Sequence, residues 1–263
     1  MTEPEDLPPT PSRRQPRPDA AVAVAAAEHG GRVLLGVRSA ATRSSATLGD
    51  QGDRAAHTAI VAALSAACPT DAILSEEAAD DQARLVADRV WIVDPLDGTR
   101  EFAERGRVDW AVHVALVVGG DLVAGAVALP ALGVTMGTGS PPALAPPHDG
   151  PPRMVVSRTR PPALAVHVAT CLGAETVPLG SAGAKAMAVV RGDADIYLHA
   201  GGQYEWDSAA PVAVATAAGL HASRVDGSPL RYNQPDPWLP DLLICRPELA
   251  DEVIAAAAAA PPQ

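Results

Sequence analysis

Acidic side chains gather at three points of the chain: Ser75-Glu76-Glu77, the run Asp94-Pro95-Leu96-Asp97-Gly98-Thr99, and Glu205-Trp206-Asp207-Ser208-Ala209-Ala210. In the middle run an apolar stretch enters Asp94, and Pro95, with φ held at about −65°, turns the chain so that Asp97 faces the same point as Asp94. Leu96 lies between the acids and offers its backbone carbonyl. Gly98 lets the backbone approach a ligand closely. Thr99 presents an N–H and a hydroxyl at an expected helix N-terminus, a setting that binds phosphate. Metal and phosphate chemistry thus fall on adjacent atoms of one turn.

Two like charges roughly 4 Å apart repel by about 4 kcal/mol at an effective dielectric of about 20. Convergence of Glu76, Asp94, Asp97 and Asp207 therefore requires cations. All these donors are oxygens, which selects a hard ion, Mg²⁺ ahead of Mn²⁺ or Ca²⁺, and argues against zinc. Four carboxylates suit two Mg²⁺ ions, and a third site draws in Asp53. Taken one at a time, each motif also has a plain structural account. Asp94–Thr99 reads as a β-turn, Glu76-Glu77 as a solvated acidic loop running on into Asp80-Asp81, and Asp207 as the N-cap of an alanine-rich helix. His57 and His113 stand in no ligand-like spacing and read as surface or packing residues.

These motifs need elements to carry them. Helices are expected over Ala20–Val37 and over Asp53–Ala67, the second opened by Asp53 as N-cap and closed by Pro69. Ala72–Leu74 and Val90–Val93 read as strands that end in acids. Trp110–Val118 and Leu122–Leu129 flank Gly119-Gly120-Asp121, a hairpin signal. Residues 1–18, rich in Pro and charge, read as a disordered lead-in. Residues 19–137 then read as an α+β half and 138–153 as a Pro/Gly-rich loop. Residues 154–263 read as an α/β half, with strands Met154–Val156, Thr176–Leu179, Ile196–Leu198 and Leu242–Cys245 alternating with helices Pro162–Leu172, Ala182–Val190 and Ser208–Ala218. The alanine-rich tail reads as a fraying helix and stub.

Composition removes several function classes. With 263 residues, 48% hydrophobic and 19% charged, the chain is globular rather than disordered. A net charge of −11 repels nucleic-acid polymers, so any phosphorylated partner has to be a small metabolite met by local countercharge. Cys68, Cys171 and Cys245 form neither a disulfide framework nor a zinc ribbon. No transmembrane helix or secretory signal is expected, which places the protein in the cytoplasm.

In order and spacing, the three acidic motifs resemble the lithium-sensitive, magnesium-dependent phosphatases of the inositol monophosphatase superfamily, over roughly Ala20 to Arg246. Within it the chain is most similar to actinobacterial CysQ-type 3′-phosphoadenosine 5′-phosphate phosphatases. That likeness rests on Leu179-Gly180-Ser181-Ala182-Gly183-Ala184-Lys185-Ala186-Met187, Tyr197-Leu198-His199-Ala200-Gly201-Gly202-Gln203 and Asp226-Gly227-Ser228-Pro229-Leu230-Arg231-Tyr232-Asn233. The resemblance implies a layered αβαβα sandwich of the sugar-phosphatase type and 3′-phosphate hydrolysis in sulfur assimilation, commonly by a homodimer. It implies Glu76, Asp94, the Leu96 carbonyl, Asp97 and Asp207 as metal ligands, with Asp53 and Thr99, the latter paired with Asp53 or Glu76, orienting the attacking water. The Gly98 and Thr99 amides then hold the scissile phosphate, and Ser181 and Lys185 bind substrate, Lys185 meeting a second phosphate. Ser157 falls near the nucleotide-contacting loop, with Arg158 and Arg160 as 5′-phosphate partners. His199 stands where nucleotide-specific relatives often carry Arg, which leaves inositol 1-phosphate and fructose 1,6-bisphosphate open as substrates. The expected reaction is in-line attack by water without a covalent phosphoenzyme, and Asp97→Ala is expected to cut turnover by orders of magnitude with the fold intact. A Ca²⁺-binding module without activity, and a metal-free glycosidase using paired carboxylates, are the alternatives of other classes.

Overall fold

The computed structural model describes residues 18–41 and 46–261. The expected lead-in, apart from Pro18, lies outside the described residues, as do the last two positions of the chain. Seven helices and ten strands appear among the described residues, arranged as five layers.

Helices α1 (Asp19–Ala40) and α2 (Ala46–Ala67) pack on each other and cover one face of the first sheet, burying Val22, Ala27, Leu34, Ile60 and Leu64 against Trp91, Val93, Val112 and Val114. By length and hydropathy alone α1 passes for a membrane span, yet its apolar side is spent on this core. The first sheet runs in sequence order: β1 (Ala72–Ser75), β2 (Arg89–Asp97), β3 (Ala111–Val118), β4 (Asp121–Leu129) and β5 (Val134–Gly137). Only β1 and β2 are parallel; the rest is a meander whose β3–β4 turn is the expected Gly119-Gly120 hairpin. A short helix, α3 (Thr99–Ala103), follows β2.

The second sheet has the order β7-β6-β8-β10-β9, with β6 (Arg153–Ser157), β7 (Glu175–Leu179), β8 (Ile196–Tyr204), β9 (His221–Ser223) and β10 (Trp238–Cys245). Helices α4 (Ala163–Leu172) and α7 (Ala250–Ala258) cover its outer face through Val168, Val253, Ile196 and Leu243. Between the sheets lie α5 (Ala182–Val190) and α6 (Glu205–Ala217), almost wholly apolar because sheets press on both sides; Met187, Val189, Val212 and Val214 meet Val117 and Val127 on one side and Tyr197, Leu242 and Ile244 on the other. The layers are therefore α, β, α, β, α, as the resemblance implies.

Three local expectations are corrected. First, α2 begins at Ala46, so Asp53 lies inside a helix rather than at its N-cap. Gly52 does not mark a helix start; a Cβ there would come within 2.8 Å of Phe102 and 3.1 Å of Leu96, so the glycine lets α2 press close to β2 and α3. Second, α6 begins at Glu205, which makes Asp207 its third residue; its carboxylate accepts the Tyr204 backbone N–H at 2.7 Å in a capping box. Third, β2 does not stop before the acids. It runs through Asp97, and because Asp94 pairs with His113 and Asp97 with Ala111, three steps on β2 oppose two on β3. The acids thus stand on a strand bulge, admitted where Pro95 has no N–H to give the ladder. The short strands β5 and β9 went unread in the sequence.

Candidate active site

Carboxylate oxygens of Asp94, Asp97 and Asp207 lie within 4.8 Å of one another. They come from both halves of the chain, two from the β2 bulge and one from the first turn of α6. Glu76, just after β1, faces the same point: it hydrogen-bonds with the Asp94 carboxyl and feels the charges of Asp207, Asp53 and Asp97. Asp94 is buried and its Oδ1 accepts the Leu96 N–H at 3.0 Å. The Leu96 carbonyl and Asp53 Oδ2 each lie 3.3 Å from the Thr99 hydroxyl.

The energetic signature of this cluster is protonation. Burial first, then Glu76, Asp97 and Asp207, pushes Asp94 well above the carboxylate range. Glu76 is open to solvent, yet partial desolvation by the surrounding protein, followed by Asp207, Asp53 and Asp97, raises it to about 7. Asp53 is raised to about 7 by burial and then by Glu77, and Asp207 to about 6 by burial and then by Asp97. Asp97 goes the other way. Burial alone would raise it, but His113 beside it and the Gly183 amide hold it below its ordinary value.

Asp97 is also a structural joint. Its Oδ1 accepts the Ala182 N–H at 3.1 Å and its Oδ2 the Gly183 N–H at 2.5 Å, so the carboxylate caps α5 from the other half of the chain. Gly98 has φ 88°, and a Cβ on it would come within 2.8 Å of Ser181. Only glycine meets both demands at the point where the two halves touch.

A cleft of about 730 Å³ opens over this joint. Asp97, Gly98, Ser157, Ser181, Lys185, His199 and Asp207 all line it, so the substrate-contacting positions named from the sequence, Thr99 and Arg158 excepted, border one space. Lys185 is buried rather than on a helix surface. Its Nζ donates to the carbonyls of Gly180 at 2.5 Å and Ser181 at 2.9 Å, which leaves one of three N–H groups for the cleft. Ser181 caps α5 by accepting the Ala184 N–H at 3.0 Å. His199 spends Nε2 on the Gly202 carbonyl at 2.8 Å, and burial holds its pKa below the ordinary value, so it brings no cation to a phosphate. Arg160 borders the cleft, whereas Arg158 is turned away into ion pairs with Glu101 at 2.8 Å and Glu104 at 3.0 Å. Arg158 is therefore not placed as a 5′-phosphate partner, contrary to the expectation.

The two histidines read as surface or packing residues both stand beside the acids. His113 is completely buried, with Nε2 3.2 Å from Asp97 Oδ2. His57 packs its Nδ1 against the Ser75 hydroxyl at 2.9 Å, one residue before Glu76. The sequence also gave no hint of the cleft's aromatic flank. Tyr204 and Trp238 line it and stay roughly half exposed, Tyr204 stacks on Trp206 with ring centroids 4.7 Å apart, and Gln203 beside them is buried with neither amide atom hydrogen-bonded. These residues are scattered through strands and become neighbours only because β10 pairs with β8, Trp238 opposite Tyr204.

The donor set fits hard divalent cations. It is all oxygen, it carries more negative charge than the fold can hold ionised, and Asp53 Oδ1 is buried without any hydrogen-bond partner.

Known proteins resemble the chain in the same terms. The model of the inositol monophosphatase family matches residues 15–140 and 154–261. A 3′-phosphoadenosine 5′-phosphate phosphatase of Mycobacterium tuberculosis (strain CDC 1551 / Oshkosh) is 56% identical over 223 residues, covering 81% of this chain and 82% of that protein. The 3′(2′),5′-bisphosphate nucleotidase CysQ of Escherichia coli (strain K12) is 34% identical over 199 residues, 71% of this chain and 80% of that one. Among solved structures, CysQ from Bacteroides thetaiotaomicron, a bacterial member of the inositol monophosphatase family, superposes with TM-score 0.74 at 28% identity, covering 87% of this chain and 97% of that one.

Proposed function

The chain belongs to the inositol monophosphatase family, and from that premise we propose that it is a Mg²⁺-dependent, Li⁺-sensitive phosphatase that removes the 3′-phosphate of 3′-phosphoadenosine 5′-phosphate, giving AMP and phosphate. The observation that carries this reading is the composition of one cleft, which joins the acid cluster to an aromatic flank at Tyr204 and Trp238. Its volume of about 730 Å³ suits a nucleotide bisphosphate. Flat side chains give a base something to stack on, and neither inositol phosphate nor fructose bisphosphate has a flat ring to use them. The mycobacterial relative named above carries that activity in its name.

Glu76, Asp94, the Leu96 carbonyl, Asp97 and Asp207 would hold two Mg²⁺ ions, with a third drawn in by Asp53, and these would supply Lewis-acid stabilisation of phosphoryl charge and a more acidic water. The chain's other residues handle proton and substrate. Asp53, with Oδ1 unpartnered and its pKa raised to about 7, takes the proton of the attacking water, which the Thr99 hydroxyl orients. The Gly98 and Thr99 amides hold the scissile phosphate. Ser181 contacts the nucleotide, and Lys185 and Arg160 meet its second phosphate.

The test compares phosphate release from phosphoadenosine phosphate, inositol 1-phosphate and fructose 1,6-bisphosphate, with Mg²⁺, Ca²⁺ or EDTA and with and without Li⁺. Preference for the nucleotide with Mg²⁺, lost with Ca²⁺ and in EDTA, is the expected result. Activity that survives EDTA would sink the metal-dependent reading. Trp238→Ala is expected to raise KM for the nucleotide about tenfold, from stacking of about 1–3 kcal/mol per base, with inositol 1-phosphate turnover unchanged. Equal losses on both substrates would remove Trp238 from the base.

Proton linkage offers a second check. Asp53 and Glu76 rise from 3.8 and 4.5 to about 7 on folding without metal. Between those values the folded protein holds protons that the unfolded chain releases, so the metal-free fold loses stability as pH rises from about 4 through 7. Mg²⁺ needs the same groups ionised. The Mg²⁺-induced rise in Tm is therefore expected to be larger at pH 8 than at pH 5.5, as scanning calorimetry will read; equal rises at both pH values would mean that these acids are already ionised at the lower one.

A further inference from the structure

We propose that His113 is a positioning residue, tying the bulge that carries Asp97 to the helix that carries Asp207 so that both carboxylates keep the spacing a divalent cation needs. The inference rests on the metal-dependent reading above but concerns a residue outside the ligand set. His113 sits in the middle of β3, paired in register with Asp94, and is completely buried. Its Nε2 lies 3.2 Å from Asp97 Oδ2, and its Nδ1 lies 3.0 Å from the backbone carbonyl of Trp206, the residue immediately before Asp207.

The Trp206 carbonyl only accepts, so Nδ1 carries the N–H that donates to it, while Nε2 stands 3.2 Å from Asp97 Oδ2 as a close contact without hydrogen-bond geometry. A side chain needed only to fill the core would be apolar here, because a buried imidazole costs desolvation that Leu or Val does not. The neighbouring helix is shaped around the ring. Gly183, in the first turn of α5, donates its N–H to the same Asp97 Oδ2, and a Cβ at that position would overlap His113 Nε2. Asp97 Oδ2 thus accepts from Gly183 with the His113 ring packed 3.2 Å away on the same oxygen, and Oδ1 accepts from Ala182. Of about four lone-pair directions on a carboxylate, two are taken by these amides, and the imidazole crowds Oδ2 so that Oδ1 keeps the more open approach. Through its other nitrogen the same ring sets the height of the first turn of α6, and with it Asp207. Partners that orient metal ligands in this way change metal affinity by about 10–100-fold when removed.

The experiment is titration of Mg²⁺ into the metal-free full chain by calorimetry, with Tm in EDTA measured alongside, for the wild type, His113→Leu and His113→Gln. His113→Leu is expected to stay folded in EDTA and to bind Mg²⁺ about 10–100-fold more weakly, with the Mg²⁺ concentration for half-maximal activity rising in step. KM for the nucleotide at saturating Mg²⁺ stays put. His113→Gln, whose amide can serve only one of the two oxygens, is expected to recover part of the loss, which a role in core packing alone would not produce. Unchanged Mg²⁺ affinity in folded His113→Leu overturns the proposal. Should that variant fail to fold, unchanged affinity in His113→Gln overturns it instead. A wild type that binds no Mg²⁺ would overturn the metal-dependent reading, and this proposal with it.

Discussion

Asp94→Asn is expected to lower kcat/KM about a thousandfold, or about 4 kcal/mol at about 1.4 kcal/mol per decade, while leaving the fold in EDTA as stable as the wild type or more so. The two halves of that expectation have separate causes. Asn keeps the shape and the Oδ1 that accepts the Leu96 N–H at 3.0 Å, so the bulge survives. What it removes is a charge that burial, Glu76, Asp97 and Asp207 all resist, since Asp94 is pushed well above its ordinary pKa without metal. With Mg²⁺ present the order reverses: the wild type gains stability in proportion to its affinity, and the variant gains much less. Thermal melts with EDTA and with Mg²⁺, beside steady-state phosphate release, separate the effects. Near-normal turnover in a folded Asp94→Asn enzyme would take Asp94 out of the metal site. Asp97→Ala is the poorer probe, because Asp97 also caps α5 through Ala182 and Gly183 and lies against His113. Its removal mixes lost chemistry with a lost joint, so an intact fold is no longer expected of it.

What the sequence revealed and what it hid divide along contact distance. Asp94, Leu96, Asp97, Gly98 and Thr99 are neighbours in the chain, so their shared purpose is visible in six consecutive residues. Glu76 and Asp207 became legible through motif order and the resemblance it carries. The layer order followed from the same source. Hidden residues are those whose meaning depends on which strand lies opposite which. His113 looks like one more member of an apolar strand until β3 is set against the β2 bulge. Tyr204 and Trp238 are distant in sequence, and only the β8–β10 pairing makes them a flank of the cleft. Asp53 was legible as an acid but not as a helix-interior one, because the glycine before it imitates a helix start while serving contact with Phe102. Lys185 looked free to reach a phosphate, and the carbonyls of Gly180 and Ser181 that take two of its protons come from the chain's own turn into α5.

The joint itself can be tested where no catalytic group is touched. Gly183→Ala is expected to lower Tm by roughly 6–12 °C, from about 3 kcal/mol at about 2–4 °C per kcal/mol for a chain of this size, and to cut activity by a larger factor than that instability explains. A Cβ at this position would overlap His113 Nε2 and come within 2.9 Å of the Ala111 Cβ and 3.1 Å of Asp97 Oδ2. All three neighbours are buried and belong to the first sheet, so α5 has to withdraw. Withdrawal breaks the charge-assisted bonds from the Ala182 and Gly183 amides to Asp97, each worth about 1.5–3 kcal/mol, and frees the carboxylate to turn. Alanine's better helix propensity, about 1 kcal/mol, offsets only part of this. Gly36→Ala is the matched control: it lies exposed in α1 with nothing within 4 Å of the added carbon, so the same substitution there is expected to raise Tm slightly and leave turnover alone. If both substitutions behaved alike, the close approach of α5 to His113 and Asp97 would not be what holds the two halves of the site in register.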